Sequence, residues 1–155
     1  MPKEKSAKEV YDACANKGEY EEAGFDKEET KKIVAMAIED HEYARKLAKE
    51  KNPNYRVVFN IEYDALREIC SALLKLKKQK ISNHQGLFAA IIILYPELEL
   101  DFNFFEKVRT IRNQNKYVGT DITKEKWDET KLQIDVYINS LKKEIEKVQV
   151  ESNTE

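Results

Sequence analysis

The sequence contains little glycine, proline and cysteine, and each shortage excludes a class of structure or chemistry. With only 4 Gly and 3 Pro, long helices can run without interruption, which favours an all-α fold. The 2 cysteines are too few for a disulfide framework or a cysteine-based metal cluster. No Gly-rich loop matches a phosphate-binding motif, and the 2 histidines do not stand at metal-ligand spacing. We therefore expect no metal site and no cofactor.

The chain also lacks a long hydrophobic run and a strong net charge. Its longest apolar run, Leu87 to Tyr95, is much too short to span a bilayer and is typical of a buried helix. The N-terminus shows no apolar signal-peptide region, and reduced thiols suit the cytoplasm, so we expect a cytoplasmic protein that does not bind a membrane. The net charge of -2 gives no overall attraction to nucleic acid, so a site for a polyanion has to be a local patch.

Apolar residues recur at helical spacing in five segments that follow residue 25. The first is expected to begin with Asp26 in the capping position and to end before Pro53. The second ends in a cluster of lysines, which we interpret as a solvated helix end that complements the helix dipole, with a nucleic-acid contact as the alternative. That cluster comprises Lys75, Lys77, Lys78 and Lys80.

The limits of the other three segments are also marked, and the fifth is expected to begin after Thr123. The third starts at Ser82 and stops at Pro96. The fourth opens at Asp101 or Asn103 and stops at Gly119. The fifth carries apolar residues seven positions apart, namely Trp127, Ile134, Leu141 and Val148.

Five amphipathic helices with short links predict an all-α fold, a five-helix bundle in one domain that spans residues 26–149. Residues 1–25 are predicted to be a polar, partly flexible segment that could hold one short helix, and residues 150–155 a disordered tail. His41 is predicted to be a surface residue, since its neighbours are charged. His84, at a predicted helix start, is predicted to be a capping or packing residue and not a ligand.

A polar cluster stands at the end of the fourth segment, where the sequence runs RTIRNQNKY from Arg109 to Tyr117. On a helix, Arg109, Arg112 and Lys116 form one ridge, and Asn113 and Tyr117 form the next row. Four basic residues stand against one acidic residue between positions 102 and 117, a local charge of +3. Arginine binds phosphate through two donors and lysine binds it as a point charge, so this ridge suits a phosphate group.

Helix geometry leaves two interpretations of this cluster open. The simpler one is an amphipathic helix whose outer face is polar, with Tyr117 packed at its end. The other interpretation is a binding site. It has to explain how side chains that point in different directions from the helix could contact one ligand. Arg112 and Tyr117 lie roughly 140° apart around a helix of 3.6 residues per turn. They can act on one ligand only if the helix frays or a second subunit completes the site.

The six residues RNQNKY resemble the Arg-polar-x-x-x-His motif of HEPN domains (higher eukaryotes and prokaryotes nucleotide-binding), in some members of which Tyr replaces the His. The surrounding helices are similar too. YDALREICSALL resembles the family's second helix, ISNHQGLFAAI its third and FFEKVRTIRNQNKYVG its fourth. The resemblance covers residues 26–147, and the position of RNQNKY at the end of the fourth of five helices makes the motif more specific.

The resemblance implies a four-helix up-and-down core plus an extra helix, and a homodimer in which two copies of the motif meet. It also implies a metal-independent ribonuclease that binds RNA or nucleotide, of the toxin type that a separate minimal nucleotidyltransferase silences. Carried over to this chain, Arg112 would hold the phosphate, Asn113 would assist and Tyr117 would occupy the position of the catalytic His. Arg109 and Lys116 would add contacts to the nucleotide or RNA.

Tyrosine at the histidine position has chemical consequences. A phenol has a reference pKa of about 10, so it is a poor base at neutral pH, although Tyr117 could donate a hydrogen bond or be modified by a partner transferase. The alternative function is therefore a non-catalytic module that binds nucleotide or pairs with a nucleotidyltransferase, and a further one is a plain oligomerisation bundle. Asp64 and Glu68 on the second helix could reach the site, although a solvated face is their simpler role.

Overall fold

Residues 4–153 are described by the computed structural model, with side chains up to residue 148, and within them six α-helices and one small sheet form the fold. The helices are α1 (Ala7–Asn16), α2 (Lys27–Ala48), α3 (Tyr55–Leu76), α4 (His84–Leu94), α5 (Phe102–Asn113) and α6 (Lys124–Asn153). Two short strands, β1 (Glu21–Glu22) and β2 (Gln79–Lys80), pair antiparallel. A 3₁₀ turn, Pro96–Leu98, follows α4, and a π-helical turn, Gln114–Val118, follows α5. The predicted all-α helical bundle is confirmed.

The five predicted helices correspond to α2 through α6, and their limits follow the expected signals with one exception. Asp26 and Asp101 cap α2 and α5, where their carboxylates accept hydrogen bonds from backbone N–H groups at 3.0 and 2.8 Å. Gly119 ends the π-helical turn with a φ of 80°, in the left-handed region that glycine favours. The prediction that Ser82 starts the third helix is wrong. Asn83 is the cap, and its amide oxygen accepts from a backbone N–H at 3.2 Å.

The N-terminal segment contains the predicted short helix, α1, and packs onto the bundle. Val10 and Cys14 of α1 are buried, and α1 lies against α4. The Tyr20 hydroxyl donates to the carbonyl oxygen of Gly86 at 2.7 Å. A Cβ at position 86 would lie 2.7 Å from Cδ1 of Ile81 and 2.9 Å from Sγ of Cys14, so a larger residue there would force these side-chain atoms to shift. The close approach of α1 to α4 at this point is therefore helped by the absence of a side chain at Gly86.

Helix α3 is the centre of the fold and lies against α2, α4, α5 and α6. Its Tyr63 meets Phe88 edge-on with ring centres 6.0 Å apart, and Phe88 stacks on Phe105 at 4.6 Å. On the far side of the core, α6 buries Trp127, Ile134 and Leu141, as their seven-residue spacing predicts. Because α3 also touches α5, polar residues along α3 can meet the end of α5.

Helix α6 runs on to Asn153, so the backbone of residues 150–153 is helical. Residues 154 and 155 of the predicted tail, and residues 1–3 of the predicted N-terminal segment, lie outside the described residues. Across residues 4–153, no helix is both long enough and apolar enough to cross a bilayer.

The prediction that His41 is a surface residue is wrong. Only 6% of the residue is exposed, because α2 places it between α3 and α6. Its Nδ1 lies 2.8 Å from Oε2 of Glu62, and its Nε2 lies 2.9 Å from Oδ1 of Asp135. These partners stand 21 and 94 residues away along the chain, so no local sequence pattern marks His41 as buried.

Both ring nitrogens of His41 face carboxylates, and an ionised carboxylate only accepts hydrogen bonds. The ring therefore donates from both nitrogens, as an imidazolium. Burial by itself would lower the pKa of His41, but the hydrogen bond and charge of Glu62 and the hydrogen bond of Asp135 outweigh it, so the pKa is raised. Arg45 extends this network, with Nε 3.8 Å from Oε1 of Glu62 and its guanidinium 5.2 Å from the centre of the Trp127 ring.

Candidate functional site

Arg112, the arginine of the RNQNKY stretch, lies in the last turn of α5 and packs against α3. Its side chain is 12% exposed, and Nη1 lies 3.2 Å from Oδ1 of Asp64. The same Nη1 donates to the carbonyl oxygen of Asn60 at 3.4 Å, and the guanidinium carbon stands 5.1 Å from the centre of the Tyr63 ring. Nε and Nη2 have no hydrogen-bond partner among the described residues. The guanidinium is therefore held in place and still has donors to offer to an anion.

Tyr63 links this guanidinium to a histidine on another helix. The residue is fully buried, and its hydroxyl lies 3.0 Å from Nδ1 of His84. Burial raises the pKa of the Tyr63 hydroxyl far above its usual range, against the opposing charges of nearby arginines, so the phenol keeps its proton. Arg112 on α5 and His84 on α4 thus contact the same tyrosine side chain of α3.

His84 is the first residue of α4 and is half-buried. It packs against Tyr63 with ring centres 5.9 Å apart, so the packing role predicted for it is confirmed. The pKa of His84 is lowered, first by burial and then by the positive charges of Arg67, Arg112 and Arg109, while the charge of Asp64 opposes them. The imidazole is therefore neutral at neutral pH and keeps a lone pair.

Carboxylates balance the three arginines that surround His84. Asp64 stands between Arg112, at 3.2 Å, and Arg67, at 3.9 Å, and Arg67 also lies 3.9 Å from Glu68. Asp64 thus reaches the site, as its place on the second predicted helix allowed, whereas Glu68 contacts only Arg67 among these arginines. Burial raises the pKa of Glu68.

Arg109 pairs with a carboxylate of its own helix, and that carboxylate neutralises its positive charge. Its Nε and Nη2 each lie 2.9 Å from a carboxylate oxygen of Glu106, a two-point contact between neighbouring turns of α5. Gln85 of α4 donates to the same carboxylate at 2.9 Å. Lys107 in turn lies 3.7 Å from Glu129. Glu106 is already included in the local charge of +3, so of these contacts only that between Lys107 and Glu129 of α6 reduces this charge further.

A π-helical turn carries the last four residues of the RNQNKY stretch, and such turns are frequent at functional sites. Asn115 fastens the turn to α3, since its Oδ1 accepts from Nδ2 of Asn60 at 3.2 Å. Its own Nδ2 donates to the carbonyl oxygen of Thr120 at 2.9 Å. Lys116 and Tyr117 are left on the outside, and 77% of Tyr117 is exposed.

Within one chain, the predicted phosphate-binding residue Arg112 is therefore separated from the predicted catalytic residue Tyr117. Arg112 faces α3, while Tyr117 and Lys116 face solvent beyond it, and no hydrogen bond or cation–π contact joins Arg112 to Tyr117 among the described residues. Asn113 is half-buried at the end of α5 and makes no hydrogen bond through its side chain to the described residues. Arg109 belongs to the Glu106 pair. The roles assigned to all five residues stay predictions.

The sequence does not point to Tyr63, and it predicts only a capping or packing role for His84, so neither residue was expected at this site. A usable signal exists on α3, where Asn60, Asp64 and Arg67 recur at helical spacing beside the apolar stripe and mark a polar edge. Nothing comparable marks His84, because its partner Tyr63 is 21 residues away on another helix.

Comparison of the chain with protein-family models, with curated proteins and with solved structures finds no match to any of them. Within residues 4–153, no group of three or more His, Cys, Asp or Glu side chains is placed to hold a metal ion.

Proposed function

We propose that the chain is a metal-independent RNA endonuclease of the HEPN type, which acts as a homodimer through Arg112, Asn113 and Tyr117. The observation that carries the proposal is the state of Arg112. A carboxylate, a carbonyl and an aromatic face fix its guanidinium, and Nε and Nη2 remain free for a second, bidentate contact. Such a fork matches two oxygens of a phosphodiester.

A homodimer would bring the two groups of predicted residues together. Tyr117 and its neighbour Val118 are each 77% exposed, so both side chains are open to contact by a second protomer. In a two-fold arrangement of the π-helical turns, Tyr117 of one protomer would reach the phosphate held by Arg112 of the other. Its hydroxyl would donate a hydrogen bond there, and Lys116 would add positive charge beside the RNA.

The test is cleavage of RNA by the purified protein in the presence of EDTA. We expect wild type to cleave, and we expect Arg112→Ala to lower the rate about 100-fold, the size seen when one donor to a developing negative charge is removed. Lys143→Ala is the matched control, because it removes an exposed positive charge from the distant part of α6. Cleavage that Arg112→Ala leaves unchanged would exclude the proposal.

A second function is favoured by the exposure of the Tyr117 hydroxyl. In this alternative the chain is a non-catalytic module that binds nucleotide or pairs with a separate minimal nucleotidyltransferase, and Tyr117 is the group that the transferase modifies. Incubation with such a transferase and a nucleoside triphosphate should then add a nucleotide to wild type and none to Tyr117→Phe, as measured by mass spectrometry. Equal labelling of the two proteins would count against this alternative.

A further inference from the structure

We propose that His84 is a catalytic residue of this site, the group that exchanges a proton with the RNA, and that Tyr63 positions it. This inference rests on the proposed endonuclease function and adds the general base that the RNQNKY stretch lacks. Tyr117 is exposed and acts in the proposed site as a hydrogen-bond donor, so the proton acceptor has to come from another residue. A neighbouring helix supplies an imidazole instead.

The geometry that supports the proposal is the pair of contacts made by Tyr63. Its hydroxyl lies 3.0 Å from Nδ1 of His84, and its ring lies 5.1 Å from the guanidinium carbon of Arg112. The tyrosine itself is immobilised in the core against Phe88. A phosphate bound by Arg112 would therefore sit next to an imidazole whose orientation is fixed by a hydrogen bond.

Of the two histidines in the chain, His84 is the one with a ring nitrogen left to contact the RNA. His41 has both ring nitrogens bound to carboxylates inside the bundle. His84 uses only Nδ1, and its Nε2 has no hydrogen-bond partner among the described residues. The groups that set its charge come from two neighbouring helices, namely Tyr63, Asp64 and Arg67 of α3 and Arg109 and Arg112 of α5.

The same arginines explain why the imidazole is ready to accept a proton. Burial and three positive charges lower its pKa, so the neutral form prevails at neutral pH. The contact between Nδ1 of His84 and the Tyr63 hydroxyl fits two tautomers: the hydroxyl donates to Nδ1 when the ring proton is on Nε2, and accepts from Nδ1 when the proton is there; the proposed step uses the second tautomer, in which Nε2 carries the lone pair. Tyr63 keeps its own phenolic proton and takes no part in the proton transfer.

The reaction follows from these positions. Nε2 of His84 removes the proton of a ribose 2′-hydroxyl, and the 2′ oxygen forms a bond to the adjacent phosphorus. The bond from phosphorus to the 5′ oxygen breaks, the electron pair leaves with that oxygen, and water supplies its proton. Arg112 offsets the charge on the non-bridging oxygens. The products are a 2′,3′-cyclic phosphate and a 5′-hydroxyl, and the imidazolium returns its proton to water, so no metal or cofactor is consumed.

The experiment compares full-length variants in the EDTA cleavage assay. His84→Asn keeps an amide where Nδ1 stands, which preserves a partner for Tyr63, but it cannot exchange a proton. We expect it to lower kcat about 100-fold or more with little change in KM. We expect His84→Ala to regain activity when imidazole is added to the solution, a readout that a structural role would not give. Lys143→Ala again serves as the control.

The dependence of kcat/KM on pH distinguishes the role of His84, the proposed base, from that of Tyr63, which positions it. For wild type, kcat/KM should rise with pH through a limb below about 6.5, the unperturbed value for histidine. His84→Asn should lose that limb, and Tyr63→Phe should shift it to lower pH, because the imidazolium loses an acceptor at Nδ1. Circular dichroism confirms that each variant is folded.

The possible failures are distinguishable. Absence of cleavage by wild type would overturn the proposed endonuclease and this step with it. Cleavage that depends on Arg112 but continues unchanged in His84→Asn, or products that lack a cyclic phosphate, would overturn the role of His84 and leave the endonuclease standing.

Discussion

Replacing His41 by leucine would measure how much the buried network on α2 contributes to stability. The variant keeps a side chain of similar size and leaves the carboxylate of Glu62, which has no exposed surface, without its closest partner. Removing one member of a buried charge pair costs about 3–5 kcal/mol. Arg45 stays 3.8 Å from Glu62, and Asp135, whose side chain is 41% exposed, regains water. We therefore expect the lower end of that range, about 3 kcal/mol.

The unfolding free energy lost in His41→Leu should decrease as the pH rises. The pKa of His41 is raised in the folded protein, so the network contributes fully below the pKa of an unfolded histidine, about 6.5. The contribution is lost as the pH rises through the folded-state pKa, since a neutral ring can donate to only one carboxylate. The difference in unfolding free energy between wild type and His41→Leu should be larger at about pH 6 than at about pH 9.

Urea unfolding followed by circular dichroism measures these free energies. For a chain of this length, a loss of about 3 kcal/mol also lowers the melting temperature by about 6–12 °C. The double variant His41→Leu with Glu62→Leu is the control, and it should lose less than the sum of the single variants, because no charge is left unpaired in the core. A His41→Leu variant within about 1 kcal/mol of wild type, or a pH-independent loss, would refute the assignment of a charged network.

Two further predictions concern the packing of the N-terminal segment. Gly86→Ala should reduce the unfolding free energy by about 1–3 kcal/mol, because its Cβ would lie 2.7 Å from Cδ1 of Ile81. Gly24→Ala, where no atom lies within 4 Å, should change it by less than about 0.5 kcal/mol, and equal effects in chemical denaturation would contradict the tight contact. Burial raises the pKa of the Cys14 thiol to about 11, so a disulfide reagent at about pH 8 should modify it far more slowly than in urea.

The helices could be predicted because each buries a stripe whose spacing is visible in the chain. Trp127, Ile134 and Leu141 stand seven residues apart and are buried along α6. The start of a helix can be predicted where one residue is suited to the capping position, as at Asp26. Before α4, Ser82 and Asn83 are both suited to it, and the predicted start is wrong by one residue.

The site could be predicted only in part, since its contacts join distant parts of the chain. Local spacing placed Arg112 on a basic ridge and allowed Asp64 to reach it, and the resemblance to HEPN domains assigned Arg112 to the phosphate. The contact between Tyr63 and His84 joins two helices, and each of these residues looks like an ordinary core or helix-start residue in the sequence. The π-helical turn also has no sequence signature, although it decides that Tyr117 faces solvent.

The central claim, a metal-independent RNA site shared between two protomers, is tested most directly by mixing two inactive variants. Arg112→Ala and Tyr117→Phe are each assayed alone and then mixed, exchanged and assayed on RNA in EDTA. In a shared site, half of the dimers carry one intact Arg112–Tyr117 pair, so the mixture should regain about a quarter of the wild-type rate. A mixture as inactive as its components, or a wild type that leaves RNA intact, would contradict the account.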